Sequence, residues 1–274
     1  MIRWVASYPK SGNTWVRLFL MAYEWPAKFD PNMRLSYYLS DGEISYYEKL
    51  SPKPVEELNQ DEFLALRQAV LVHMLNGPID PIVKTHMVNS WVRYQISIPP
   101  HLTERAVYVV RDPRDVAVSY ADHLGWDLDK TIAFMNWSDA VIEGEGMKQV
   151  TSSWSTHVMT WLQATYPILF VRYEDLLEDP VRQFADVVEF MGMPLEEERL
   201  EAAVRLTEFD ALKSREDKEE MKFKSAKQDK FFRQGHSGGW RNVLSNEQAR
   251  QIESDHREVM CEIGYLKDPI RMVG

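Results

Sequence analysis

The sequence predicts an α/β fold, a central parallel sheet flanked by helices, on three observations. Ile2-Arg3-Trp4-Val5-Ala6 is rich in strand formers, Ser7-Tyr8-Pro9 breaks the run, and from Asn13 the pattern turns helical, so the chain opens as strand, tight loop, helix. Ala106-Val107-Tyr108-Val109-Val110 is apolar throughout, which fits a strand covered on both faces, and it too leads into a helix. Ile168 to Val171 repeats that pattern. The 274 residues are ample for one large core, and residues 1–274 are expected to form a single domain.

In the first loop, Lys10, Ser11, Gly12, Asn13 and Thr14 feed a helix start, where backbone N–H groups lack partners and the positive end of the helix dipole is exposed. Such a turn cradles an anion. Lys10 adds a mobile charge, Gly12 lets the backbone approach closely, and the Ser11 and Thr14 hydroxyls can donate to phosphate or sulfate oxygens. A nucleotide-triphosphatase loop would read GxxxxGK[ST], but here Lys10 precedes the glycine. The helix buries Trp15, Val16, Leu18, Phe19, Leu20 and Tyr23, and on position alone Trp15 is equally a core aromatic.

Residues 25–47 read as irregular, with Phe29, Tyr37, Tyr38, Tyr46 and Tyr47 forming either a satellite cluster or a pocket wall. A helix over 61–75 follows, then a strand over 82–86 on which Lys84 and His86 share a face. By itself His86 reads as structural, although strand ends of open α/β sheets collect active sites. Arg111 ends the next strand, where it can fork onto a phosphate or pair with Asp115, and a helix with Pro113 in its first turn carries Ser119 and runs to about His123. Residues 125–151 show no assignable pattern. The helix over 154–165 places His157 at its surface, and Tyr173 follows the strand that ends at Val171.

Amphipathic helices over 180–191 and 195–206 lead to Thr207 and Phe209. The mixed-charge stretch 213–230 is a solvated helix or loop by default and a lid in its functional version. Arg233, Gln234 and Gly235 open a glycine-rich loop able to curl round an anion, and a helix capped by Ser245 runs to Gly264.

Thirty-two Lys and Arg against 42 Asp and Glu give a net charge of −10, so general electrostatics repel nucleic acid and anionic membranes and any bound anion must be gripped locally. The one cysteine, Cys261, cannot form an internal disulfide and is expected to be a buried thiol. No long apolar stretch occurs in these residues, no cleavable leader is expected because the opening reads as a strand, and the expected location is cytoplasmic.

Together the motifs resemble the sulfotransferases that use 3′-phosphoadenosine 5′-phosphosulfate (PAPS), whose fold is a three-layer P-loop-type α/β sandwich. KSGNTW resembles their 5′-phosphosulfate loop, with Asn13 where many cytosolic members have Thr; Lys84-Thr85-His86 resembles their catalytic Lys-x-His; RDPRDVAVSY resembles their 3′-phosphate segment, with Asp112 in place of the commoner Asn. The resemblance implies that Trp15 and Tyr173 lie at adenine, that Thr207 and Phe209 touch the nucleotide, and that Arg111, Ser119, Arg233, Gln234 and Gly235 hold the 3′-phosphate. Gln234 replaces a Lys, so one charge is missing there. The family's short dimer motif is not recognisable, and the expected lack of a membrane anchor would separate the chain from Golgi members.

The implied reaction is sulfuryl transfer from PAPS to a hydroxyl of a small molecule, leaving adenosine 3′,5′-bisphosphate, with His86 as base, Lys10 and Lys84 balancing charge, and no metal. Aromatic flanking loops point to a phenolic or hydrophobic alcohol, and the opening IRWVASYPK resembles bacterial enzymes that decorate secondary metabolites. A P-loop kinase would need a magnesium ligand after the loop lysine, and a non-enzymatic nucleotide sensor would have no use for Lys-x-His. No hydrolase elbow is expected: the string Gly235-His236-Ser237-Gly238-Gly239 fits GxSxG but ends a polar run instead of following a strand, and HExxH is absent from the sequence.

Overall fold

The apolar segments pair side by side in one parallel sheet. The structure, a computed structural model, describes residues 1–32, 38–77, 80–144, 147–221, 230, 232 and 235–267. Strand β1 (Ile2–Ser7) feeds α1 (Asn13–Glu24); β2 (Tyr38–Ser40), α2 (Ile44–Leu50), α3 (Gln60–Leu75) and β3 (Ile82–Thr85) follow. A hairpin of β4 (Trp91–Val92) and β5 (Gln95–Ile96) precedes β6 (Thr103–Val110), α4 (Pro113–Leu124) and α5 (Leu128–Met135). A second hairpin, β7 (Val141–Gly144) and β8 (Met147–Val150), leads to α6 (Trp154–Leu162) and β9 (Ile168–Arg172). The remaining helices are α7 (Tyr173–Glu178), α8 (Pro180–Phe190), α9 (Glu197–Thr207), α10 (Phe209–Glu216), α11 (Asn246–Asp255) and α12 (Arg257–Glu262).

The sheet order is β2-β3-β1-β6-β9, and every pairing is parallel. Val5 of β1 sits opposite Lys84 of β3 on one side and Val107 of β6 on the other. Because side chains alternate along a strand, Trp4 and Ala6 face one layer with Tyr108, while Val5 faces the other with Val107 and Val109. The first layer is filled from α3, α4 and α6, and the second from α1, α8 and α9, where Phe19 and Phe184 stack 3.8 Å apart. These helix-covered faces make the three layers that the sequence predicts.

Several expectations need correction. Residues 25–47 contain β2 and part of α2; Phe29, Tyr38 and Tyr47 belong to the core, Tyr46 packs against it partly buried, and Tyr37 lies outside the described residues. Tyr47 stacks on Phe63 at 5.2 Å and donates to the Asp41 carbonyl at 2.6 Å. Residues 125–151 hold α5 and the β7–β8 hairpin. Helix α6 ends at Leu162, which is exposed, whereas His157 is fully buried, because α6 is covered on more than one side. The C-terminal helix breaks at buried His256, whose Nδ1 hydrogen-bonds with Ser155 Oγ at 2.9 Å, and burial pushes its pKa down to about 4. Cys261 is partly exposed. Within the mixed-charge run, α10 continues to Glu216, and the lid reading falls on residues 222–229, outside the described residues. Among the described residues no helix is long and apolar enough to cross a membrane.

One buried bond ties the central pair together: Trp4 Nε1 donates to Thr103 Oγ1 at 3.0 Å, and that hydroxyl donates to the Pro99 carbonyl at 2.9 Å. Thr103→Val strands the indole donor and is expected to cost about 1–3 kcal/mol, read as a lower urea midpoint at unchanged slope. An unchanged midpoint would show that the indole has another partner.

Candidate active site

All five strands of the sheet run the same way, so their carboxyl ends share one edge, and β1 lies between β3 and β6. The loops that leave these three strands therefore converge. The first is the β1–α1 loop. Lys10 has φ 65° and Gly12 φ 109°, both left-handed, and a Cβ on Gly12 would lie 2.8 Å from Tyr173 Cδ2. Only glycine fits that combination of backbone and neighbour. Helix α1 has no side-chain cap and no acidic residue in its first turn, whereas α3, α4, α5, α6, α8 and α11 are each capped by a side chain. Ser11 is 0% exposed and its Oγ has no protein partner. An uncapped helix start, an orphaned buried hydroxyl and a close backbone are what an anionic group of a nucleotide requires. The Asn13 side chain turns inward and donates to the Val5 carbonyl at 2.9 Å, pinning the loop to its strand, while Thr14 is half-buried.

Arg111 reaches this loop from β6, donating through Nη1 to the Lys10 carbonyl and through Nη2 to the His236 carbonyl, each at 3.4 Å. Its guanidinium lies 4.4 Å from the Tyr173 ring centroid, and Tyr173 meets Trp15 edge-on at 5.7 Å. Trp15 Nε1 and Arg111 Nε are buried without protein partners. The predicted loop, Trp15, Arg111 and Tyr173 thus form one cluster. Gly235 has φ 61° and packs on the Phe209 ring, joining the glycine-rich loop to α10. Asp115 does not pair with Arg111; it accepts the Gly238 and Trp240 N–H groups at 2.6 and 2.9 Å and so fastens that loop to α4. Ser119 is half-buried on α4. The buried Thr207 hydroxyl donates to the Ala203 carbonyl at 2.8 Å, so its own helix holds it. Arg233 and Gln234 lie outside the described residues.

The third strand end carries Lys84, on β3, and His86, just beyond it. His86 Nδ1–H donates to the Ser7 carbonyl at 2.8 Å, at the root of the anion loop. A carbonyl only accepts, so the proton sits on Nδ1 and Nε2 is the basic nitrogen. The His86 N–H donates to Gln149 Oε1 at 3.1 Å, and the His86 carbonyl accepts from His157 Nε2 at 3.2 Å. Tyr108 O–H donates to His157 Nδ1 at 2.8 Å, and burial pushes the His157 pKa down to about 3, keeping it neutral. Sequence reasoning missed His157, Tyr108, Gln149, Asp41 and Arg67. A signal existed only for Arg67, which occupies the buried phase of α3 with Phe63, Val70, Leu71 and Met74.

Two outcomes follow from this geometry. Gly12→Ala meets the Tyr173 ring and a left-handed backbone, a strain of about 1–2 kcal/mol, and is expected to lower both the urea midpoint and calorimetric affinity for adenosine 3′,5′-bisphosphate. Wild-type values for both would show that the loop relaxes freely. For His157, the folded pKa lies below the ordinary 6.5, so its stabilising contribution is complete above pH 6.5 and drains away as pH falls toward about 3. The unfolding free energy is expected to fall between pH 7 and 5 by up to roughly 1.4 kcal/mol per pH unit for this group. His157→Gln, which keeps a donor and an acceptor but does not titrate, should flatten that slope, and identical slopes would contradict the assignment.

The chain is similar to known proteins along nearly its whole length. The family model described as Sulfotransferase domain matches residues 3–264. Sulfotransferase 1A1 of Rattus norvegicus is 24% identical over 271 residues, covering 95% of this chain and 85% of the relative. Flavonol 4′-sulfotransferase of Flaveria chlorifolia is 27% identical over 280 residues, covering 96% and 80%. A solved structure of retinol dehydratase in complex with androsterone and inactive cofactor PAP aligns with TM-score 0.66 at 23% identity, over 98% of this chain and 83% of that one. With a family match across nearly its whole length, the chain belongs to the sulfotransferase domain family.

Proposed function

We propose that this chain, acting as one unit over residues 1–274 in the cytoplasm, transfers a sulfuryl group from PAPS to a hydroxyl of a small-molecule acceptor. The observation that carries the reading is the joining of the uncapped α1 loop to Arg111 on one side and, through Ser7, to His86 on the other. Retinol dehydratase, which shares the fold, was solved with PAP, and that supports an adenosine bisphosphate here. Lys10, Ser11, Thr14 and the backbone at Gly12 and Asn13 would hold the 5′ end. Trp15 and Tyr173 would flank adenine, and Arg111, Ser119 and the loop of Arg233, Gln234 and Gly235 the 3′ end. Phe209 supports that loop from below, and Thr207 contributes by anchoring the helix that precedes it.

The bound donor supplies a sulfur electrophile on a phosphate leaving group. His86 Nε2 takes the acceptor hydroxyl proton as the acceptor oxygen forms its bond to sulfur and the bond from sulfur to the phosphate oxygen breaks. Lys84, on the strand beside β1, and Lys10 balance charge on the transferring group and the departing phosphate, the role that magnesium has in kinases. The exposed Trp137 with Trp126 and Phe134 provides aromatic surface beyond α4, and one relative is named for a flavonol; both favour a phenolic acceptor.

Calorimetry should show adenosine 3′,5′-bisphosphate binding in preference to ATP with magnesium, with Arg111→Ala weakening it. His86→Ala should lower turnover by roughly 10²-fold or more while leaving bisphosphate affinity within about twofold, because its ring meets Ser7, at the root of the loop. Binding of ATP alone, or near wild-type turnover by the folded variant, would reverse the reading.

A further inference from the structure

The strand end that carries Lys84 and His86 is held by one buried carboxylate. Asp41 follows β2 and is fully buried, as is its ion-pair partner Arg67, with Arg67 Nη2 2.5 Å from Asp41 Oδ2. Each residue from 84 to 86 connects to it. The Asp41 N–H donates to the Lys84 carbonyl at 3.2 Å; Thr85 Oγ1 donates to Asp41 Oδ2 at 2.7 Å; and Gln149 Nε2 donates to Asp41 Oδ1 at 3.2 Å while Gln149 Oε1 accepts the His86 N–H at 3.1 Å. Arg67 also donates to the Ser97 carbonyl, and Tyr47 holds the Asp41 carbonyl, so the anchor is itself fixed.

A buried ion pair is weak evidence for stability, because desolvation offsets most of its attraction. This pair does something more specific than hold the fold: Asp41 presents two carboxylate acceptors and one backbone donor toward one strand end. Through the Thr85 hydroxyl and the Gln149 amide that fixed charge is tied to the segment that leads into His86. The His86 ring hydrogen-bonds to the Ser7 carbonyl across the gap between β3 and β1, and whether it reaches that carbonyl depends on where its own backbone sits. Misplacement of a catalytic group by about 1 Å can cost roughly 10²-fold in rate.

We propose that Asp41 and Gln149 are positioning residues for the reaction, Gln149 being the link through which the buried carboxylate sets the place of His86. The proposal rests on the reading of His86 as the base. Gln149→Met keeps the side-chain shape and removes both hydrogen bonds without leaving Arg67 unpaired. Sulfuryl transfer from PAPS to 4-nitrophenol should lose about 10- to 100-fold in kcat, with the KM for PAPS and calorimetric affinity for adenosine 3′,5′-bisphosphate within about twofold. In the His86→Ala background the same substitution should cost nothing further, since a group that acts through His86 has nothing left to place.

A second readout needs no acceptor. Long-range ¹H–¹⁵N spectra of the imidazole should show one Nδ1–H tautomer in the wild type and a mixture in Gln149→Met. Unchanged kcat with an unchanged tautomer would overturn the proposal, and so would losses that multiply in the double variant. Near wild-type turnover by His86→Ala would instead remove the base assignment, whatever Gln149→Met does.

Discussion

The parallel direction of the five central strands is the constraint from which the site follows. With β1 flanked by β3 and β6, three loops must leave the same edge at neighbouring positions, and each brings one kind of chemistry. The β1 loop brings unpaired backbone donors, the β3 end a lysine and a histidine, and the β6 end a guanidinium. The separation along the chain is large, but in the sheet these strands are adjacent. A contact between Arg111 and the Lys10 carbonyl spans 101 positions and needs no long side-chain reach, because Val109 already pairs with Ser7.

An acidic chain that binds an anion must confine its positive potential, and the β1–α1 loop does this with backbone rather than with added charge. A helix start contributes about half a positive charge without any side chain, and it is fixed in direction. Capping side chains consume that potential at six other helices and leave it unspent at α1. The buried Asn13 amide then holds the loop to Val5, so the donors stay aimed without competing for the ligand. Asparagine at this position is thus explained by local packing, whatever its effect on affinity.

What could be read from the sequence divides along physical lines. Strands β1, β6 and β9 were legible because a strand covered on both faces is a continuous apolar run. Strand β2, three residues long, offers no period to detect, and the aromatic richness around it hides core residues as if they lined a pocket. The loops of the candidate site were legible because their chemistry is local: a lysine, a glycine and a helix start within five residues, or an arginine at a strand end. His157 was misplaced because a single apolar stripe was assumed for a helix whose neighbours cover more of it. Gln149 and Asp41 are 108 positions apart and met by folding alone. Nothing in either local segment announces the pairing.

The acidic groups around Arg111 raise the question of why they do not repel an anion. Each is engaged by fixed donors. Asp112 caps α4 and chelates Arg114 through Oδ1 and Oδ2, and Arg114 reaches on to Glu253 at 2.6 Å. Asp115 is occupied by two backbone N–H groups of the glycine-rich loop. Burial pushes the Glu174 pKa up, although hydrogen bonds from Tyr265 O–H at 2.6 Å and from the Asp112 N–H oppose the shift. Asp112 therefore brings its own counter-charge in Arg114. The local balance that Arg111 experiences is little altered by it. Arg111 differs from all of these groups in resting on two carbonyls at the outer limit of hydrogen bonding and on an aromatic face. A guanidinium held in direction by a ring, but only weakly engaged by neutral acceptors, gains most when a doubly charged oxygen group arrives, because charge-assisted bidentate pairs are the stronger class.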